Sequence, residues 1–182
     1  PTWNQAGNAS LVPADQDFGA CLEIAKQQTT TSLRFMGETP MFPGVYLRVS
    51  ARVKAVAGAM TGVRIAGWAG NGARAAVDGL VTTGPTKTLT TYGEVVEVSA
   101  IVGVGNRRGV DMAWGTRPVY GHFGLDLVGA NGGAFRIESI RIEDVTAAFV
   151  PSLLDWVDVR DYGAVGDGVT NDLAAFLAAD RA

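Results

Sequence analysis

The residues of this 182-residue chain best suited to chemistry with a ligand are aromatic. Trp68, Trp114, Tyr46, Tyr92, Tyr120 and His122 are candidates for sugar contact. An aromatic face can pack against the C–H face of a pyranose, while Arg and Asp side chains bond its hydroxyls. Trp68 shares one face of an alternating segment with Arg64, so the two could act together. Trp114 runs in phase with Val110 and Met112 and reads as core or interface, whereas core and binding face stay equally open for Trp68. Glu23, Glu143 and Asp144 would form a structural calcium site if the first and last strands adjoin. Three ligands fall short of the roughly six to eight that calcium takes, which favours an ordinary solvated strand end.

Catalytic sets are sparse. His122 is the single histidine, so a His-based triad is possible at one position, and no Gly-x-Ser-x-Gly accompanies it. Cys21 is the single cysteine. That excludes an internal disulfide framework and zinc sites built from four cysteines or two cysteines and two histidines. Asp161, Asp167 and Asp172 lack the spacing and the closing Glu of a calcium-binding helix–loop–helix. Gly103–Gly109 is one residue too long for a dinucleotide-binding loop and reads as a hairpin loop with an exposed basic pair, Arg107-Arg108.

The elements that must position these residues are strands. Val45–Val56 alternates strictly, with Val45, Leu47, Val49, Ala51, Val53 and Ala55 on one face and Tyr46, Arg48, Ser50, Arg52 and Lys54 on the wet one. Thr61–Ala69 continues the pattern. Further strands are expected over Gly19–Lys26, Thr31–Met36, Tyr92–Val102, Val110–Trp114, His122–Val128 and Phe135–Asp144, with a short one over Trp156–Arg160. Asn131-Gly132 predicts a hairpin. The alternation slips within Phe135–Ile142, which predicts a β-bulge near Glu138-Ser139. With 24 glycines and 18% charged residues, the fold expected is all-β: an antiparallel sandwich of jelly-roll type.

The net charge of −3 argues against a nucleic-acid binder. No apolar run approaches the ~18 residues of a membrane span, and no secretory leader pattern opens the chain. Charge is uneven: residues 151–182 carry six aspartates against Arg160 and Arg181. The composition shift divides the chain into a sandwich, 1–150, and a distinct segment, 151–182. In that segment a helix is expected from Asn171, with Leu173, Phe176 and Leu177 on one stripe and Thr170 or Asn171 as its cap.

Val159-Arg160-Asp161-Tyr162-Gly163-Ala164-Val165-Gly166-Asp167-Gly168-Val169-Thr170-Asn171-Asp172 resembles the opening motif of pectate-lyase-like right-handed parallel β-helix proteins, phage tailspikes among them. Asn171 and Leu173 depart from the family's usual Asp and Thr. The resemblance implies a structural cap motif, Asp161, Gly163, Gly166, Asp167, Gly168 and Asp172, in which glycines make tight turns and aspartates accept backbone N–H bonds. It implies a linker, then a capping strand and helix that begin a β-helix whose later coils this chain does not contain. The family's catalytic acids sit on those coils, so none is carried over and no enzymatic activity is expected. Tyr120–Ala130 followed by Ile137–Thr146 resembles the last strands of jelly-roll carbohydrate-binding modules.

Together the resemblances imply a spike-like protein of a phage or phage-like particle that binds cell-surface, for instance capsular, polysaccharide in host attachment. The location implied is the particle surface, or otherwise outside the cell. A homotrimer burying Leu153, Leu154 and Trp156, contacts with other particle proteins, no cofactor beyond possible structural calcium, and neither nucleic acid nor membrane as partner complete the expectation. Two alternatives stay open: the non-catalytic front of a polysaccharide lyase or glycoside hydrolase, and a domain anchoring the spike to its particle. Glycosidase carboxylates stand about 5 Å or 6.5–9.5 Å apart; Asp161 and Asp167 are a poor pair because the turn itself can use both.

Overall fold

The computed structural model describes residues 3–4, 9–149 and 157–181. Twelve strands are described: β1 (Trp3–Asn4), β2 (Ala9–Asp15), β3 (Gly19–Ala25), β4 (Thr30–Phe35), β5 (Thr39–Pro40), β6 (Tyr46–Ala57), β7 (Gly62–Gly70), β8 (Lys87–Thr88), β9 (Val96–Gly103), β10 (Met112–Ala113), β11 (Tyr120–Val128) and β12 (Ala134–Asp144). They form two sheets. One runs β1-β4-β11-β7-β8 with β5 also on β11, and the other runs β10-β9-β6-β12-β3-β2. Named strands pair antiparallel except β9 with β10, which pair in parallel. The result is an all-β sandwich, as the alternating segments predict.

The alternation fills the space between the sheets. Val49, Ala51, Val53, Phe135 and Ile137 from one sheet meet Val63, Ile65, Phe123, Leu125 and Leu127 from the other. Each large side chain buried this way contributes about 1.5–3 kcal/mol. Trp114 is among the largest fully buried side chains. Its ring stacks on Phe123 at 5.2 Å and its Nε1 donates to the Val81 carbonyl at 2.9 Å, so it belongs to the core. The register of β12 against β6 slips between Ile137 and Ile140, where the out-of-phase residues required a bulge.

Four expectations fail for physical reasons. Asn131-Gly132 does not close a hairpin: β11 and β12 lie in different sheets, so the turn carries the chain across the sandwich. The loop after β9 leads to a parallel neighbour, so it is no hairpin either, and Arg107 within it is half-buried against acidic partners. Val159 and Arg160, the end of the expected Trp156–Arg160 strand, lie instead in a 3-10 turn, Val159–Tyr162, begun by Asp158, whose side chain accepts from Arg160 N. Trp156, Leu153 and Leu154 lie outside the described residues. Tyr46 and Lys54, on the wet face of β6, are buried because other segments cover them.

Lys54 is covered by the β2–β3 turn. Its Nζ bonds Asp15 at 2.7 Å and Asp17 at 2.6 Å, and Arg136 bonds the second Asp15 oxygen at 2.7 Å. Lys54 above all, then Arg136 and the backbone N–H groups of Asp17 and Phe18, hold the Asp15 carboxyl well below the usual carboxylate range against the opposing effect of burial. A lowered folded pKa means that this stabilisation is complete above the unfolded value, about 3.9, and is lost as pH falls through the folded one. The melting-temperature advantage of the native chain over Asp15→Asn should therefore be constant from pH 7 to about 5 and shrink below about pH 4. A gap that widens on acidification would refute the assignment.

Candidate functional site

The outward face of the β4-β11-β7 sheet gathers three of the six aromatic candidates, Trp68, Tyr120 and His122. In β11 the core takes Phe123, Leu125 and Leu127, so Tyr120, His122, Gly124 and Asp126 point outward. Register sets His122 opposite Trp68, Tyr120 opposite Gly70 and Pro40, Gly124 opposite Ala66 and Arg34, and Asp126 opposite Arg64 and Ser32. Trp68 stacks on His122 with centroids 5.4 Å apart and planes at 24°, and Tyr120 lies 5.9 Å from Trp68. Gly70 has to be glycine: a Cβ there would enter the Tyr120 ring. His122 is held by a 3.2 Å contact between Nδ1 and the Gly37 carbonyl. Trp68 and His122 remain partly exposed, while Tyr120 is 7% exposed and forms the floor of the cluster.

Two rows along the same face sits a charged group. The buried Asp126 carboxylate accepts from Ser32 Oγ at 2.8 Å and Arg34 Nη2 at 2.7 Å through Oδ1, and from Arg64 Nε at 3.3 Å through Oδ2. Arg34 also donates to the Leu33 and Leu125 carbonyls. The candidates Trp68, Arg64, Tyr120 and His122 are thus brought onto one sheet face. Asp126, Arg34 and Ser32 were missed by sequence reasoning. A signal existed for Asp126: a lone acid between Leu125 and Leu127, in phase with His122 and Tyr120.

The remaining candidates lie elsewhere. Tyr46 is fully buried, stacked on Phe149 at 4.6 Å, with its hydroxyl donating to Asp161, so no sugar can reach its ring. Burial, then the neighbouring Asp161, pushes its phenol well above the usual value. Tyr92 is exposed, away from the cluster, and its hydroxyl donates to the Gly58 carbonyl. The calcium trio does not assemble. Glu23 pairs with Arg136 on β12, whereas Glu143 and Asp144 lie seven and eight residues further along that strand, more than about 20 Å away. Asp144 instead accepts from the Thr146 backbone N–H. Among the described residues no three His, Cys, Asp or Glu side chains gather around one point.

The C-terminal segment docks on the sandwich rim. Asp161 is 4% exposed and accepts a two-pronged guanidinium bond from Arg107, Nε at 3.1 Å and Nη2 at 2.9 Å. Gly163 ends the 3-10 turn with φ 98°, donating its N–H to the Arg160 carbonyl. Asp172 accepts from the N–H groups of Val165 and Gly166, and Asp167 from those of Val169 and Thr170, which hold its carboxyl below the usual range. Two helices are described, α1 (Thr146–Phe149) and α2 (Leu173–Ala179). The residue capping α2 is Asp172 rather than Thr170 or Asn171, although the Asn171 side chain accepts from Leu173 N. α2 turns Ala175 and Ala179 inward and leaves Leu173, Phe176 and Leu177 about half exposed. A cleft of about 460 Å³ separates Trp114–Arg117 from Tyr162–Val165 and α2; it lies apart from the aromatic cluster and is lined mostly by small side chains and backbone.

No protein-family model and no curated protein sequence matches the chain. Solved structures do. The family 22-1 xylan-binding domain of Paenibacillus barcinonensis Xyn10C superposes with a TM-score of 0.55 at 14% identity, over 79% of this chain and 85% of that one. The C-terminal family 22 carbohydrate-binding module of Clostridium thermocellum Xyn10B superposes with a TM-score of 0.52 at 14% identity, over 78% and 84%. The tandem of two such modules from the Paenibacillus protein gives 0.54 at 13% identity, over 79% of this chain and 41% of that one. The chain has the jelly-roll sandwich fold of carbohydrate-binding domains.

Proposed function

We propose that this chain is a non-catalytic polysaccharide-binding module and that the outward face of β4, β11 and β7 is its binding surface. The observation that carries the reading is the Trp68–His122–Tyr120 cluster, set in register on one sheet beside Arg64, Arg34 and Asp126. Part-exposed ring faces give a pyranose an apolar platform, and the charged row offers fixed partners for hydroxyls. The carbohydrate-binding domains that share the fold support the reading.

The wider setting belongs to the same proposal: a spike-like protein of a phage-like particle, attaching to surface polysaccharide, with residues 157–181 opening a β-helix. The part-exposed stripe of Leu173, Phe176 and Leu177 on α2 supports this last point, since a helix covering a β-helix coil needs an apolar face. The front end of a polysaccharide-degrading enzyme is equally served by such a module.

A glycan array followed by affinity electrophoresis tests the binding face. Trp68→Ala should weaken the best glycan at least about tenfold, a loss of ~1.4 kcal/mol, and Trp68→Phe should weaken it less. Binding to no glycan, or an unchanged affinity of the Trp68→Ala variant at native melting temperature, would reject the surface.

A further inference from the structure

We infer that the glycan taken by this face is anionic, its carboxylate or sulfate groups held by Arg64. The inference rests on the reading of the face as a polysaccharide site. Two guanidinium groups flank one carboxylate at Asp126, which leaves one positive charge uncompensated. The two arginines are not equivalent. Arg34 is the more engaged: Nη2 holds Asp126, and Nη1 holds the carbonyls of Leu33 and Leu125. Its side chain is 14% exposed, fixed as part of the floor.

Arg64 is the free one. Nε makes the single long contact of 3.3 Å to Asp126, and neither Nη has an acceptor among the described residues. The side chain is 29% exposed. A guanidinium anchored through Nε presents its two outer N–H pairs as a preset fork, the shape that binds a carboxylate or sulfate with two parallel hydrogen bonds. Arg64 stands four residues from Trp68 on β7, on the same face, about 14 Å along the strand. Between them β7 and β11 contribute only Ala66 and Gly124, opposite one another and both buried, with Thr83 beside Ala66 and Arg34 beside Gly124 in the same row. A chain stacked on Trp68 and running along β7 would bring an acidic unit, more than one sugar away, to Arg64. A neutral glycan would leave the fork to water and the local charge unbalanced.

The test uses matched pairs that differ in charge alone: uronate polysaccharides such as polygalacturonate, alginate and hyaluronan, each beside its carboxyl-reduced neutral counterpart, with a sulfated glycan added. The native chain should bind at least one anionic member about tenfold more tightly than its neutral partner in low salt. That ratio should fall as salt is raised past about 0.15 M, where charges are screened within ~8 Å. Arg64→Gln should bring the ratio close to one, Arg64→Lys should restore part of it, and Arg108→Gln, an exposed arginine on the β9–β10 loop, should leave it intact. Equal affinity for charged and neutral partners, or a ratio that survives Arg64→Gln, overturns the inference while polysaccharide binding stands. Binding to no glycan of either kind overturns the function itself.

Discussion

Replacing Lys26 by Met should cost about 3 kcal/mol of stability. Lys26 directly follows β3, with a side chain 1% exposed. Its Nζ donates to the Gln28 carbonyl, to Thr29 O at 3.0 Å, Gly129 O at 2.8 Å and Asn131 Oδ1 at 3.2 Å. Burial lowers its pKa from the usual lysine value, so the ammonium sits there at a cost that the ring of oxygens must offset. The backbone adds Lys26 N to Gly133 O and Gly132 N to Lys26 O, both at 2.9 Å. Lys26 therefore ties the β3–β4 turn to the turn that carries the chain between the two sheets. Methionine keeps most of the volume and removes the donor, leaving the Gln28, Thr29, Gly129 and Asn131 oxygens without the ammonium that joins them. For a chain of this length the melting temperature should drop by roughly 6–12 °C. Gln, with two N–H donors, should lose less than Met. A Met variant within 2 °C of the native protein, by about the same conversion under 1 kcal/mol, would show that the oxygens are served by water instead.

Lys26 also shows where sequence reading reached its limit. Strand existence was legible because one face of each strand is apolar: Val45–Val56, Thr61–Ala69 and Phe135–Asp144 each announce a period of two, and the bulge at Glu138-Ser139 follows from a phase slip written in the residues. The wet faces were not legible. Polar alternation says that a side chain leaves the core, and nothing about what arrives to cover it. Lys54 was covered by a turn 37 residues earlier, Tyr46 by a carboxylate 115 residues later, and Arg107 by one 54 residues later. None of these leaves a local trace. The same limit explains the calcium trio: three acids at strand ends look convergent until the register sets Glu23 against Arg136. The binding face was half legible. Trp68 and Arg64 share a strand, so their common face follows from spacing, whereas Asp126, Arg34 and Ser32 join them only through pairing of β11 with β4 and β7.

Substituting Asp161 by Ala should release the C-terminal segment from the sandwich while the sandwich itself stays folded. Asp161 is the acceptor for the Tyr46 hydroxyl and for two Arg107 nitrogens, and Gly105 stands so close that a Cβ there would strike both Asp161 and Tyr46. Removing the carboxylate leaves the Tyr46 hydroxyl without an acceptor and Arg107, 15% exposed, with Asp158 at 3.0 Å as its remaining ion partner. Breaking a buried charge pair in this way costs about 3–5 kcal/mol when the charge cannot reach water. Here it can: undocking residues 157–181 hydrates both groups, so the loss is capped at the segment's own docking free energy. The main consequence is therefore local opening rather than global unfolding. Trypsin cleavage at Arg160 should accelerate about a hundredfold, the equivalent of ~2.7 kcal/mol, because cleavage follows the open population. The melting temperature of the β6, β9 and β12 core should fall by much less than for Lys26→Met. Asp161→Asn keeps the shape and an acceptor for Tyr46 but loses the charge, and should fall between the two. Tyr46→Phe keeps the stack on Phe149 and tests the hydroxyl alone. If Asp161→Ala instead unfolds core and segment in one transition, the two parts form one cooperative unit; if cleavage at Arg160 is unchanged, the Arg107 fork does not hold the segment in place.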